Sequence, residues 1–314
     1  MTPEQVLAKP WRRRAYWHTA LALAVLVAVF LLARRHWPVL ETGAVRLALA
    51  DQGWLLVAAA AALVTWPCAA LAQQGAVPRR LPPGRLVAGQ FAASAANQVL
   101  PAGLGAGAVN LRFLIRCGLS LGDAVTAIAV KGTAGGIARG AMVAVLFAAF
   151  PGVLHLPHFS GGILVAVFTA VTVAVLLLVG PLWPRCRRAP ATVWAYICAV
   201  HARPARAVAL WGGSLAFVVL HCAVLIAVTR AVALPLPPAR VALLYVAASS
   251  AAALLPTPGG LGSLDAVLAL ALTAVGAPAT AAASAVLGYR LLTVWLPLIP
   301  GLVVLAVLVR RRAL

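Results

Sequence analysis

Three cations lie inside stretches of the chain that otherwise carry almost no charge: Lys131 and Arg139 within Ala124 to Phe150, and Arg290 within Ala283 to Val309. A cation in hydrocarbon costs roughly 2.5 to 3.5 kcal/mol on insertion scales, so such groups face a cavity or a partner. The chemistry they offer is anion binding, and a lipid phosphate is the nearest anion. The alternative for each is snorkelling, or a structural pair with Asp123 or Asp265. Tyr289 stands beside Arg290. Asn97, Gln98, Asn110 and Arg112 surround a first Pro/Gly cluster that contains Pro101, Gly103, Gly105 and Gly107. A second cluster holds Pro256, Gly259, Gly260 and Gly262. Successive backbone N–H groups in such loops can cradle phosphate. The same residues also serve as plain turns and as caps for helix ends.

Catalysis has little to build on. Glu4, Glu41, Asp51, Asp123 and Asp265 are the only carboxylates, and none forms a D-x-D or E-x-x-H constellation. Asp123, three residues after Ser120, and Asp265 read as first-turn helix caps. His155 and His158 share a short Pro-containing loop, and His18, His36, His201 and His221 are scattered with no H-E-x-x-H. Cys68, Cys117, Cys186, Cys198 and Cys222 form no C-x-x-C and read as small apolar fillers. No catalytic residue, metal or cofactor is expected.

The elements that position these groups follow from composition. Of 314 residues, 64% are hydrophobic and 10% charged, with a mean hydropathy of +1.02, which excludes a soluble globule. About 20 apolar residues cross a bilayer as a helix, and six segments qualify: Ala15 to Ala33, Gly53 to Ala72, Ala124 to Phe150, Gly161 to Trp183, Ala207 to Thr229 and Ala283 to Val309. The first, although it follows Arg12 to Arg14, is long enough to read as an uncleaved anchor. Leu86 to Leu100 with Val109 to Cys117, and Val241 to Leu255 with Leu264 to Val275, are too short or too broken to cross. Each reads as a re-entrant helical hairpin with a Pro/Gly elbow. The expected fold is all-α and polytopic: six transmembrane helices and two re-entrant hairpins in one transmembrane domain over residues 1–314.

A formal net charge of +20 would suggest nucleic acid in a soluble protein, but here the arginines flank the apolar runs. The excess of Lys and Arg puts the N- and C-termini and the basic loop 184–206 on the cytoplasmic side, with no nucleic-acid partner. The same bookkeeping dips the first hairpin in from the cytoplasmic face and the second from the opposite face.

Self-similarity supports an inverted repeat, over about 86–150 and 241–309. Phe91 to Pro101 aligns without gaps on Val246 to Pro256, and after a three-residue insertion Gly118 falls on Gly276 and Lys131-Gly132 on Tyr289-Arg290. Inverted repeats with broken helices form anion sites near the membrane midplane in transporters. Gly132, Gly136 and Gly140 make a ridge at helical spacing that predicts close packing of a neighbouring helix beside Lys131 and Arg139.

Leu255-Pro-Thr-Pro-Gly-Gly-Leu-Gly-Ser-Leu-Asp-Ala266, Gly276-Ala-Pro, Tyr289-Arg-Leu-Leu-Thr-Val-Trp-Leu-Pro297, Asn97-Gln-Val-Leu-Pro101 and Leu111-Arg112 to Gly118-Leu-Ser120 together resemble the lysylphosphatidylglycerol synthase transmembrane region, or flippase-like domain, over nearly the whole chain. The resemblance implies a multi-pass protein of the bacterial plasma membrane, associated with moving aminoacylated phospholipid or related lipids between leaflets. The chain departs from the pattern in two places. No synthetase domain follows Leu314, which argues against aminoacyl transfer, and Lys131-Gly132 stands where many members carry Glu-Arg. The expected function is a stand-alone, non-enzymatic lipid translocator whose partners are membrane phospholipids. The alternative is a non-transporting, lipid-binding accessory of a separate lipid-modifying enzyme or membrane glycosyltransferase.

Overall fold

A computed structural model describes residues 37–99, 104–150, 190–254 and 263–310, and every element among them is helical. Among the described residues, four helical stretches are long and apolar enough to cross a membrane. They are α2 (Gln52–Gly75), α5 (Leu121–Ala149), α7 (Pro204–Ala231) and a stretch from Ala279 to Arg310. That last stretch is α10 (Ala279–Arg290), a π-helical turn (Leu291–Trp295) and α11 (Leu296–Arg310). Each agrees with an expected crossing helix to within about a turn. The expected spans Ala15 to Ala33 and Gly161 to Trp183 lie outside the described residues, as do His155, His158 and Cys186.

Local chemistry starts these helices where it should. Asp51 caps α2 by accepting from the Trp54 N–H at 3.1 Å. Ser120 caps α5 by accepting from the Asp123 N–H at 3.1 Å, and its hydroxyl donates to Asp123 Oδ2 at 2.8 Å, as the sequence predicts.

The two short segments fold as helix pairs. α3 (Pro83–Val99) packs on α4 (Leu104–Arg116), and α8 (Pro238–Leu254) on α9 (Ser263–Ala274). At 1.5 Å per residue each helix is about 18 to 26 Å long, short of a ~30 Å hydrocarbon core. Both pairs end in the same device. Gly118 and Gly276 take φ of 84° and 93°, the left-handed conformation that favours glycine. Gly118 N–H donates to Ile115 O and Leu119 N–H to Leu114 O; Gly276 N–H donates to Thr273 O and Ala277 N–H to Leu272 O. The residues aligned in the two repeats therefore close their helix pairs with identical hydrogen-bond registers.

α2 and α7 form the central seam, and glycines let their backbones meet. A Cβ on Gly213 would stand 2.7 Å from Ala72 N and 2.8 Å from Cys68 O, and one on Gly75 would collide with the Leu210 backbone. Two apolar cores flank the seam: one joins α3, α4 and the first half of α5, the other α7, α8, α9 and α10. α11 lies against α3, where a Cβ on Gly301 would come within 2.9 Å of Phe91 O.

Three expectations need correction. The ridge of Gly132, Gly136 and Gly140 is not a packing seam among the described residues: a Cβ at any of the three would meet nothing within 4 Å. The close approaches are made instead by Gly75, Gly105, Gly213 and Gly301, which form no such ridge. The basic loop 184–206 is helical from Pro190, as α6 (Pro190–His201), and α7 begins at Pro204. Tyr196 anchors α6 by donating to Ala76 O at 3.0 Å. Burial, and then the nearby Asp123 carboxylate, push its phenol up to about 12. A further helix, α1 (Trp37–Ala48), packs on α10 where no element is expected. Of the described cysteines, all free thiols, Cys68 and Cys222 are buried as fillers would be, Cys117 is half-buried, and Cys198 is exposed.

Candidate functional site

A cavity of about 440 Å³ opens between α2, α3, α4, α5 and α7. α5 supplies its two cations, Lys131 and Arg139. They stand four residues before and after Gly135, the middle of α5, so each is about 6 Å along the axis from the helix midpoint. Among the described residues, neither is paired with a carboxylate. Lys131 Nζ donates to Gln90 Oε1 at 2.9 Å, and Arg139 Nη1 donates to Gly135 O of its own helix at 3.4 Å.

Polar side chains from the neighbouring helices hold this wall in place. Gln90, buried on α3, passes the hydrogen bond on, its Nε2 donating to Asn110 Oδ1 at 3.2 Å. Asn110 Nδ2 in turn donates to Ala106 O at 2.9 Å, so α3, α4 and α5 are tied through one chain that ends on backbone. From α7 come Ser214 and His221; a His221 ring nitrogen bonds Phe217 O at 2.9 Å. The π-turn after α10 contributes Thr293, whose hydroxyl donates to Tyr289 O at 2.7 Å. α2 contributes Trp66, which stacks on Phe91 with ring centroids 4.1 Å apart, and Gln73. Gln73 is 1% exposed, and among the described residues neither its Oε1 nor its Nε2 has a hydrogen-bond partner. Buried amides are ordinarily hydrogen-bonded, which sets this side chain apart from the rest of the lining.

The fields in the cavity have one sign. Among the described residues, no carboxylate lines it. Asp51 and Asp123 cap helices, and Asp265 is bound to Arg290 Nε. Among the described residues no group of three His, Cys, Asp or Glu could hold a metal ion. What the site offers is two cations beside a set of amides and hydroxyls, at mid-height in a bundle of membrane-length helices.

The sequence-predicted residues divide. Lys131, Arg139 and Asn110 come together in the cavity, with Gly107 of the first glycine cluster. Arg290 does not join them: it is 5% exposed and pairs with Asp265, the structural alternative weighed above, so Asp265 does more than cap α9. Tyr289, 3% exposed, donates to Tyr245 Oη at 3.0 Å inside the second core. Arg112 is exposed on α4. Asn97 and Gln98 sit at the end of α3 outside the lining, and Gln98 Oε1 is buried with no partner. Gly105 is a packing glycine, at which a Cβ would collide with Ala96 O. Pro101, Gly103, Pro256, Gly259, Gly260 and Gly262 lie outside the described residues.

Gln73, Gln90, Ser214 and His221 are not singled out by the sequence. Gln73 falls just past the expected run Gly53 to Ala72 and Gln90 lies on a helix too short to cross, so neither is marked by the rule that singles out polar groups inside membrane-length runs.

Family comparison agrees with the resemblance. The family described as lysylphosphatidylglycerol synthase TM region matches residues 17–301, and the chain belongs to it. Comparison with curated proteins finds no match.

Proposed function

We propose that this member of the lysylphosphatidylglycerol synthase transmembrane-region family is a lipid translocator of the bacterial plasma membrane, with both termini cytoplasmic. It holds the phosphate of an anionic or aminoacylated phospholipid, or of a related lipid, in the cavity between α2, α3, α5 and α7. The observation that carries this is the pair of cations, Lys131 and Arg139, facing one cavity in which, among the described residues, no carboxylate stands between them. Uncompensated charge at that depth is costly, and an anionic ligand supplies the missing counter-charge. The open cavity lets a headgroup pass the hydrocarbon while its acyl chains remain in lipid. No step of this action makes or breaks a bond, so the protein works without turnover chemistry, metal or cofactor. In the same reading the two helix pairs dip from opposite faces as an inverted repeat, and the partners are membrane phospholipids.

Proteoliposomes carrying a fluorescent anionic phospholipid test it. Wild-type protein exchanges the label between leaflets faster than empty vesicles, and Lys131→Ala slows exchange about tenfold while the protein stays folded, the loss expected for one charge-assisted hydrogen bond. Binding of the lipid without exchange above empty vesicles would favour the accessory role beside a lipid-modifying enzyme or glycosyltransferase. Exchange that is unchanged in folded Lys131→Ala protein would discard the site.

A further inference from the structure

Resting on the lipid-phosphate reading, a finer question is which headgroup the cavity accepts, and Gln73 answers it through the chemistry of its amide. The side chain is 1% exposed, lines the cavity, and leaves both a donor, Nε2, and an acceptor, Oε1, unsatisfied. A phosphate oxygen only accepts and can satisfy Nε2 alone; an ammonium only donates and can satisfy Oε1 alone. A hydroxyl does both, and two neighbouring hydroxyls fit both ends of one amide at once.

The position of Gln73 separates this requirement from the phosphate. Ala72 meets Gly213 across the α2–α7 seam, so Gln73 lies near Ser214, while His221 is about two turns further along α7. The two cations sit on α5, on another wall. Trp66 adds an aromatic surface to α2, with Phe91 stacked on one face. The hydroxyls of Ser94 and Ser214 lie in the same lining. These are groups that pair with a polyol. An aminoacylated headgroup would instead bring an ammonium into a cavity that already holds Lys131 and Arg139 and, among the described residues, no carboxylate. Like charges in a medium of low polarity repel strongly.

We propose that the cavity is selective for an uncharged, hydroxyl-bearing headgroup carried on a phosphate, of which phosphoglycerol is the simplest, with Gln73 as the residue that reads the hydroxyls and the Lys131–Arg139 wall rejecting cationic headgroups. The aminoacylated lipid for which the family is described is then a poor ligand of this chain.

Full-length protein in phosphatidylcholine nanodiscs, titrated separately with short-chain phosphatidylglycerol, phosphatidic acid, lysyl-phosphatidylglycerol and soluble glycerol 3-phosphate, tests the proposal. Phosphatidylglycerol should bind about tenfold tighter than phosphatidic acid, as expected for an amide whose hydrogen bonds are otherwise unmade, and at least as much tighter than lysyl-phosphatidylglycerol. Gln73→Leu should collapse the ratio of phosphatidylglycerol to phosphatidic acid to about one. Gln73→Glu, which keeps the shape but offers acceptors alone, should shift preference towards lysyl-phosphatidylglycerol, and it serves where the leucine variant fails to fold. Equal affinities for phosphatidylglycerol and phosphatidic acid in wild type, or tighter binding of the lysyl lipid, would overturn the inference. A different pattern defeats the underlying reading: no phospholipid binding that depends on Lys131 would remove the lipid-phosphate site itself. Glycerol 3-phosphate binding as tightly as phosphatidylglycerol would keep the headgroup selectivity and overturn the lipid as its source.

Discussion

The two repeats make the same hydrogen bond with different residues. Gln90 and Tyr245 each stand one place before the aligned Phe91 and Val246, and Lys131 and Tyr289 each stand thirteen places after the aligned Gly118 and Gly276. In repeat one Lys131 Nζ reaches back from α5 to Gln90 on α3 at 2.9 Å; in repeat two Tyr289 Oη reaches back from α10 to Tyr245 on α8 at 3.0 Å. The first pair lines an open cavity, and the second is closed inside an apolar core. The cation next to Tyr289, Arg290, is neutralised by Asp265, whereas Lys131 and Arg139 have no carboxylate partner among the described residues. One scaffold therefore carries an open, cation-lined cavity in its first half and a closed aromatic core in its second, and two side-chain exchanges on a shared register separate them.

The comparison is broken most severely by removing the charge from the closed half. Arg290→Met removes the guanidinium bound to Asp265 beside an apolar core, and should cost roughly 3 kcal/mol of stability in a reversible detergent unfolding titration. Asp265→Asn combined with Arg290→Met should recover most of that loss, because the pair is structural. A stable single variant would remove the distinction between the two cations.

A smaller loss follows from the seam that holds both halves. Gly75→Ala drives a Cβ into the Leu210 backbone and should cost about 1 to 3 kcal/mol by the same titration. Gly136→Ala, on the open ridge of α5, should change stability by no more than about 0.5 kcal/mol. Equal losses at the two sites would mean that α5 packs on its glycines after all.

The smallest effects separate the matched pairs. Tyr289→Phe should cost about 1 kcal/mol of stability, the net value of a neutral hydrogen bond. Gln90→Leu should slow lipid exchange several-fold by freeing Lys131, an effect of about 1 kcal/mol on positioning. Slower exchange in Tyr289→Phe than in Gln90→Leu would place the working site in the wrong repeat.

Much of this organisation was legible in the sequence, and the part that was not has physical causes. Membrane-length runs are read from composition alone, so α2, α5, α7 and the final stretch fall where expected. Gly118 and Gly276 mark the helix-pair endings because few other residues accept a left-handed backbone, and their alignment carries the repeat into three dimensions. Glycine spacing misled on α5, because spacing gives a face but not its neighbour; Gly75 and Gly213 meet a partner chosen by tertiary packing. Arg290 illustrates the same limit, since Asp265, 25 residues away, is brought to it by the packing of α9 on α10. Lys131 and Arg139 stand out because charge in a membrane run is rare, while Gln73, next to Gln74 at the end of α2, and Gln90 on the short α3 are uncharged and gain meaning only when the helices close around one cavity.

The central claim is that the charged half binds lipid and the aromatic half does not. Native mass spectrometry of the full-length protein released from phosphatidylglycerol-containing nanodiscs tests it most directly. Wild type and Tyr245→Phe/Tyr289→Phe should both retain a bound phosphatidylglycerol that Lys131→Ala/Arg139→Ala loses. Retention of that lipid in folded Lys131→Ala/Arg139→Ala protein, or its loss in the tyrosine variant alone, would contradict the account.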